Sequence, residues 1–171
     1  QEGPYPLPEG QLDRFLFEMQ VPYPDRATER NILLATTGTE EAVLSAVFDP
    51  GQLLAAQTLI RRMPVGDVVM ELILDLVRAF RPDDTSAPAV VAENMRWGPG
   101  PRAAQALMLA VRAQALLRGA FSPSAADVAD LASAVLNHRM ALGFGARARG
   151  VTQLELIADV TEAVVQQKAV A

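Results

Sequence analysis

Lysine is nearly absent from this sequence. Of its fifteen Lys and Arg residues fourteen are Arg, and the only Lys is Lys168. A phosphate-binding loop of the G-x-x-x-x-G-K-[ST] kind needs a Lys ahead of a helix, with Ser or Thr after it. Lys168 is followed by Ala169 and has no glycines before it, so the chain carries no such loop. Schiff-base chemistry fares no better, because a chain terminus rarely offers a buried pocket. Cysteine is missing altogether, which excludes disulfides, thiol nucleophiles and thiolate metal sites and leaves secreted and cytosolic settings undistinguished. A single His, His138, excludes sites built on several imidazoles, and no metal site is expected. Apolar runs such as Val68 to Leu74 are broken by charge, far short of the roughly 20 residues of a membrane span. No signal-peptide pattern opens the sequence. A net charge of −5 and a pI near 4.9 argue against a nucleic-acid partner.

What remains is a chain of 171 residues, half of them hydrophobic and 20% charged, enough for one domain or one domain with a small appendage. Pro4, Pro6 and Pro8 keep the first residues extended, and residues 1 to 8 are expected to be poorly anchored. A short helix through Glu9 to Arg14 follows. Phe15 to Val21 is aromatic-rich and partly alternating, the pattern of one buried strand. Asp25 is an N-cap for a helix from Arg26 to about Ala35, ended by Thr36-Thr37-Gly38-Thr39. Asp49-Pro50 opens a helix to about Arg62. Val68, Val69, Leu72, Ile73, Leu76, Val77 and Phe80 then form one wide apolar stripe of a core helix.

Residues 82 to 92 are expected to be a loop, and Gly98-Pro99-Gly100-Pro101 a stiff turn feeding a helix from Arg102 to about Arg118. Ser122-Pro123 or Ser124 starts the next helix, with Val128, Leu131 and Val135 on one face. A short strand or turn around His138 to Leu142 leads into a flexible loop bearing Gly143, Gly145 and Gly150. Thr152 and Glu155 make a capping box for a last helix with Leu154, Ile157, Val160 and Val164 inward. The pattern predicts an all-helical domain of six or seven helices, with a small piece of something else at its N-terminus.

Few side chains suggest chemistry. Glu40-Glu41 and Asp83-Asp84 are adjacent pairs whose carboxylates diverge, so they read as solvated surface. His138, after Asn137 at a helix end, reads as a structural residue, and Trp97 as packing that closes a loop. Two arginines stand apart. Arg14 lies between Leu12 and Phe15 at the end of the short helix. Arg102 sits in the first turn of a helix, where free N–H groups and the dipole favour an anion such as phosphate. The planar, permanently charged guanidinium fork matches phosphate oxygens. Taken alone, both also read as ordinary surface ion-pair residues.

At these arginines a family comes into view. Residues 2 to 15, E-G-P-Y-P-L-P-E-G-Q-L-D-R-F, resemble the E-G-T-Y-P-L-P-E-A-Q-L-D-R-F segment of MoxR-family AAA+ ATPases, differing mainly at Pro4 and Gly10. Gly98-Pro99-Gly100-Pro101-Arg102-Ala103 is similar to that family's G-A-S-P-R-A turn, with Pro99 and Gly100 in place of Ala and Ser. Ala103 to Leu117, Ser122 to Val128 and Val135-Leu136-Asn137-His138-Arg139 follow the family too. The resemblance implies an all-α helical bundle of the AAA+ lid type over residues 25–171. Residues 1–24 would be a short remnant of an α/β ATPase core, the chain being a piece of something longer.

The resemblance also assigns roles. Arg14 would be the arginine finger, acting in trans on the γ-phosphate held by a neighbouring subunit, and Arg102 the second sensor, contacting ATP phosphate in its own subunit. ATP and Mg²⁺ would be the cofactors of the full-length protein, with none held by this piece alone, which should not hydrolyse ATP. The implied setting is a cytoplasmic homo-oligomer, a hexameric ring, with von Willebrand factor A domain proteins as partners. Its implied work is chaperone-like remodelling or metal-cofactor maturation. The alternatives are a non-enzymatic helical adaptor derived from such a lid and the lid of a magnesium-chelatase-like ATPase.

Overall fold

The computed structural model describes residues 7–39 and 44–170. The expected loose anchoring of residues 1 to 8 therefore falls largely outside the described residues, as does the solvated reading of Glu40-Glu41.

Helices dominate, as the apolar periodicity predicts. In chain order they are α1 (Glu9–Leu12), α2 (Arg26–Thr36), α3 (Pro50–Arg62), α4 (Asp67–Ala79), α5 (Ala89–Asn94), α6 (Pro101–Leu117), α7 (Ala125–Leu136), α8 (Phe144–Ala148) and α9 (Gln153–Val170). A 3-10 turn, Asn137–Arg139, continues α7. The sheet among the described residues is one antiparallel pair, β1 (Met95–Trp97) and β2 (Ala141–Leu142), with Met95 opposite Leu142.

The caps of α2, α3 and α7 form as expected, and the box at α9 forms only in half, since the Glu155 carboxylate takes the Thr152 hydroxyl and not its N–H. Asp25 accepts from the Thr28 N–H at 2.7 Å to cap α2. Asp49 and Gln52 exchange backbone and side-chain bonds in a full capping box ahead of Pro50. Ser124 and Asp127 do the same for α7. At α9 the Glu155 N–H donates to Thr152 Oγ1 at 3.3 Å. Each such cap satisfies N–H groups that a helix start leaves without partners.

The core is built where α4, α6, α7 and α9 meet. Leu72, Leu76, Phe80, Leu107, Val111, Val128, Val135, Leu136 and Ile157 are fully buried there. Close contact at one edge depends on Gly98: a Cβ added there would lie 2.1 Å from the Phe80 carbonyl oxygen, so only Gly lets the turn before α6 pass the end of α4. The lone lysine turns out to be a clip. Lys168 Nζ lies 2.7 Å from Asp75 Oδ2 and ties α9 to α4; the hydrogen bond it donates to that carboxylate raises the ammonium pKa.

Several expectations are corrected. Phe15 to Val21 is not a buried strand: Phe15, Leu16, Phe17, Met19 and Val21 are exposed, and no neighbouring strand is available to pair with them among the described residues. The apolar stripe of α4 is narrower than drawn, because Val68 is 68% exposed while Val69 to Phe80 turn the buried positions inward. The loop after α4 ends at Pro88, where α5 begins. Gly143 to Gly150 is mostly α8, since Gly143 lies at the N-cap and its carbonyl accepts from Arg147 N at 3.2 Å. In α9, Leu154 faces outward and Leu156 is buried in its place. α2 and α3 carry no buried residue.

Candidate functional site

The end of α7 is where the N-terminal segment is fastened. Asn137, His138 and Arg139 leave the helix in a tight 3-10 turn that aims three polar side chains at residues 13 to 18. Asn137 Nδ2 donates to Glu18 Oε1 at 2.7 Å, while Gln153 of α9 donates to the Asn137 side chain at 3.1 Å. His138 is buried, with Nε2 2.9 Å from the Phe15 carbonyl oxygen and Nδ1 3.9 Å from Glu18 Oε2. The backbone joins in: Glu18 N donates to the Ala134 carbonyl at 2.8 Å. His138 therefore plays the structural part expected of it.

Arg139 is the centre of this fastening. Only 3% of it is exposed, and its guanidinium donates to the carbonyls of Val135, Asp13, Phe15 and Leu16. Its Nε faces Asp13 Oδ1 at 3.4 Å. Burial pushes the guanidinium pKa below its ordinary range, and the Asp13 carboxylate opposes that push. A buried charge is tolerable when it is paired, and here backbone carbonyls take the Nη1 and Nη2 donors while the Asp13 carboxylate supplies the opposite charge beside Nε without a hydrogen bond.

Asp13 is shared. Its other oxygen, Oδ2, lies 3.3 Å from Arg102 Nη1, across 89 positions of sequence. Arg102 sits in the first turn of α6, with Gly100 at the N-cap and Pro101 at the first helical position. Half of its side chain is exposed. Arg102 is thus paired with Asp13 at the surface. Nε and Nη2 of Arg102 have no partner among the described residues.

Arg14 follows on the same turn and is exposed. It stands between two open clefts. One, of about 410 Å³, is lined by Gln11, Arg14 and Phe15. The other, of about 340 Å³, takes in Arg14 and Asp13 together with Arg102, Gln105 and Arg139. The two arginines singled out in the sequence are therefore brought to one cleft. Two groups that hold the arrangement, Asp13 and Arg139, were not singled out. No spacing rule links positions more than a hundred residues apart, and the only local clue was a run of polar residues, Asn137-His138-Arg139, at a helix end.

The remaining candidates lie outside the lining of these two clefts. Asp84 accepts from Ser86 N at 3.0 Å and Ser86 Oγ at 2.8 Å and pairs with Arg78 at 3.2 Å; the Ser86 bonds lower its carboxyl pKa. It shapes the loop after α4. Trp97 lies on β1, half-buried, as a packing residue. No group of three His, Asp or Glu side chains suited to a metal ion exists among the described residues. No helix among them is long and apolar enough to cross a membrane.

Residues 88–160 match the AAA lid domain family. The chain is 33% identical over 147 residues to the chaperone MoxR1 of Mycobacterium tuberculosis, an overlap of 86% of this chain and 39% of that protein. It is 32% identical over 173 residues to the uncharacterized protein YeaC of Bacillus subtilis, covering 99% of this chain and 51% of that one. Among solved structures, the crystal structure of a candidate ATPase from Cytophaga hutchinsonii is similar with a TM-score of 0.86 and 26% identity, over 95% of this chain and 49% of that chain. The chain spans about half the length, or less, of the proteins it matches.

Proposed function

From the premise that this chain is a MoxR-like AAA+ ATPase segment with an AAA lid domain at residues 88–160, we propose that it supplies the lid and the arginine finger of an ATP-hydrolysing ring. The observation that carries the reading is that Arg14 is exposed on a backbone that Arg139 fastens to the end of α7, while Arg102 stands half exposed in the first turn of α6. Residues 1–24 are the end of the nucleotide-binding core, and the lid extends from residue 25. The phosphate loop that this chain lacks belongs to that core.

Arg14 acts in trans. Phosphoryl transfer spreads negative charge over the γ-phosphate oxygens, and an arginine finger that meets this charge is worth on the order of 10³-fold or more in rate. Arg14 suits the task because it is exposed, permanently charged and mounted on a backbone that Arg139 fixes. Arg102 acts in cis as the second sensor. Phosphate contact at Arg102 pulls on the first turn of α6, whose inward face is core, so the nucleotide state is passed to the lid as a whole.

The planar, permanently charged guanidinium groups of Arg14 and Arg102 suit the oxygens of ATP phosphates. Arg14, Arg102 and Arg139 line one cleft, whereas no set of three carboxylate or imidazole ligands is present among the described residues. Mg²⁺ would accompany ATP on the core. A hexameric ring in the cytoplasm, von Willebrand factor A domain partners, and chaperone-like remodelling or metal-cofactor maturation complete the proposal. The similarity to the chaperone MoxR1 supports the chaperone-like part.

Nucleotide binding and turnover of the full gene product test this reading. Arg14→Ala abolishes hydrolysis and spares nucleotide binding. Arg102→Ala weakens nucleotide binding or uncouples it from turnover. Unchanged affinity together with unchanged turnover in Arg102→Ala contradicts the sensor role.

A further inference from the structure

We propose that Asp13 is the positioning residue for Arg102: it holds one side of the guanidinium so that the opposite edge faces phosphate. The inference rests on the sensor reading above and deepens it.

The geometry is asymmetric. Asp13 divides its two oxygens between two arginines, Oδ1 toward Arg139 Nε at 3.4 Å and Oδ2 toward Arg102 Nη1 at 3.3 Å. Arg139 is buried and tied to backbone carbonyls, so it cannot follow a ligand. Arg102 is half exposed and is tied only through Nη1 among the described residues. The carboxylate is thereby drawn toward a buried charge that stays in place, through an ion pair and not a hydrogen bond, and it presents Oδ2 to Arg102. Nε and Nη2 form one bidentate edge of a guanidinium, the fork that matches two oxygens of a phosphate. With Nη1 on Asp13, that edge is the part of Arg102 left for the cleft. A long, freely rotating side chain must be ordered before it binds an anion, and Asp13 does this ordering in advance. Arg139 has the same relation to Asp13 that Asp13 has to Arg102, one step further from the ligand.

Exposed ion pairs contribute up to about 1 kcal/mol, equivalent to about fivefold in affinity, and that sets the size of the effect. The test is a calorimetric titration of the full gene product with Mg²⁺ and the non-hydrolysable imido analogue of ATP. Asp13→Asn keeps the size of the side chain and removes its charge, and it weakens binding about two- to fivefold. Asp13→Glu, which keeps the charge, recovers most of that loss. In the Arg102→Ala background, Asp13→Asn costs nothing further, because the group it positions is gone. A merely structural role for Asp13 gives additive losses instead, and additivity overturns the inference. Tighter binding in Asp13→Asn also overturns it, since Asp13 would then compete with phosphate. Loss of affinity in Arg102→Ala without any in Asp13→Asn sinks the inference and leaves the sensor reading standing. Unchanged affinity in Arg102→Ala sinks both. Should Asp13→Asn not fold, Arg102→Lys decides: its point charge cannot offer one edge to Asp13 and another to phosphate, so its affinity falls to that of Arg102→Ala, and wild-type affinity overturns the inference.

Discussion

Arg139 reaches from the end of α7 to the carbonyl of Phe15, 124 positions earlier in the chain, and this contact is what sets Arg14 beside the lid. The same guanidinium takes the Asp13 and Leu16 carbonyls, at 3.3 and 3.2 Å. Replacing it with Met keeps much of the apolar stem and removes every one of these donors. Each lost bond to a partly buried acceptor costs about 1 kcal/mol, so Arg139→Met should destabilise the chain by about 1–3 kcal/mol and loosen residues 13 to 18 first. Amide hydrogen exchange checks this. Faster exchange at Glu18, whose N–H bonds the Ala134 carbonyl, is the expected outcome.

The narrowed stripe of α4 gives a second prediction. Leu76 is wholly buried, and Leu76→Ala should cost about 2–5 kcal/mol through lost burial and the cavity left behind. Val68 points outward, so Val68→Ala should stay within about 0.5 kcal/mol of the parent. Urea unfolding of both variants checks the pair. Comparable losses at the two positions would restore the wider stripe read from sequence.

Acid should act through Asp127. Burial alone would raise its carboxyl, but hydrogen bonds from Ser124 and the Arg118 guanidinium at 2.8 Å more than offset this and bring it below its ordinary 3.8. A carboxyl lowered in the folded state stabilises above its unfolded pKa and loses that contribution as pH falls through the lowered value. The parent should therefore be more stable than Asp127→Asn by about 1–3 kcal/mol at neutral pH, from lost charge-assisted hydrogen bonds. That difference should stay level down to about pH 4 and shrink below it. Melting temperatures of both proteins from pH 7 to pH 2 check the sign.

How far the sequence carried depends on the range of the interaction that fixes each feature. The caps at Asp25, Asp49, Ser124 and Thr152 were legible because the partners lie within three residues. The buried face of α4 was legible as a helical period, although its edge at Val68 was not, because exposure depends on what packs alongside. Phe15 to Val21 misled for a related reason. Alternation describes a strand only if a neighbouring strand supplies hydrogen bonds, and here polar groups of the α7 end take residues 13 to 18 instead. Arg14 and Arg102 were legible one at a time, through local motif and helix position. Their shared cleft was not, because Asp13 and Arg139, which assemble it, meet across the length of the fold.

Arg14 is proposed to serve a nucleotide held by another subunit. The most direct test mixes two inactive forms of the full gene product, one with Arg14→Ala and one with its phosphate-loop Lys replaced. Each form alone should hydrolyse ATP at background rate, with the Arg14→Ala form still binding nucleotide. Mixed rings should regain turnover, because an intact phosphate loop then meets an intact Arg14 across the subunit boundary. Near-parental turnover by Arg14→Ala alone, or mixed rings that stay at background, would contradict the account.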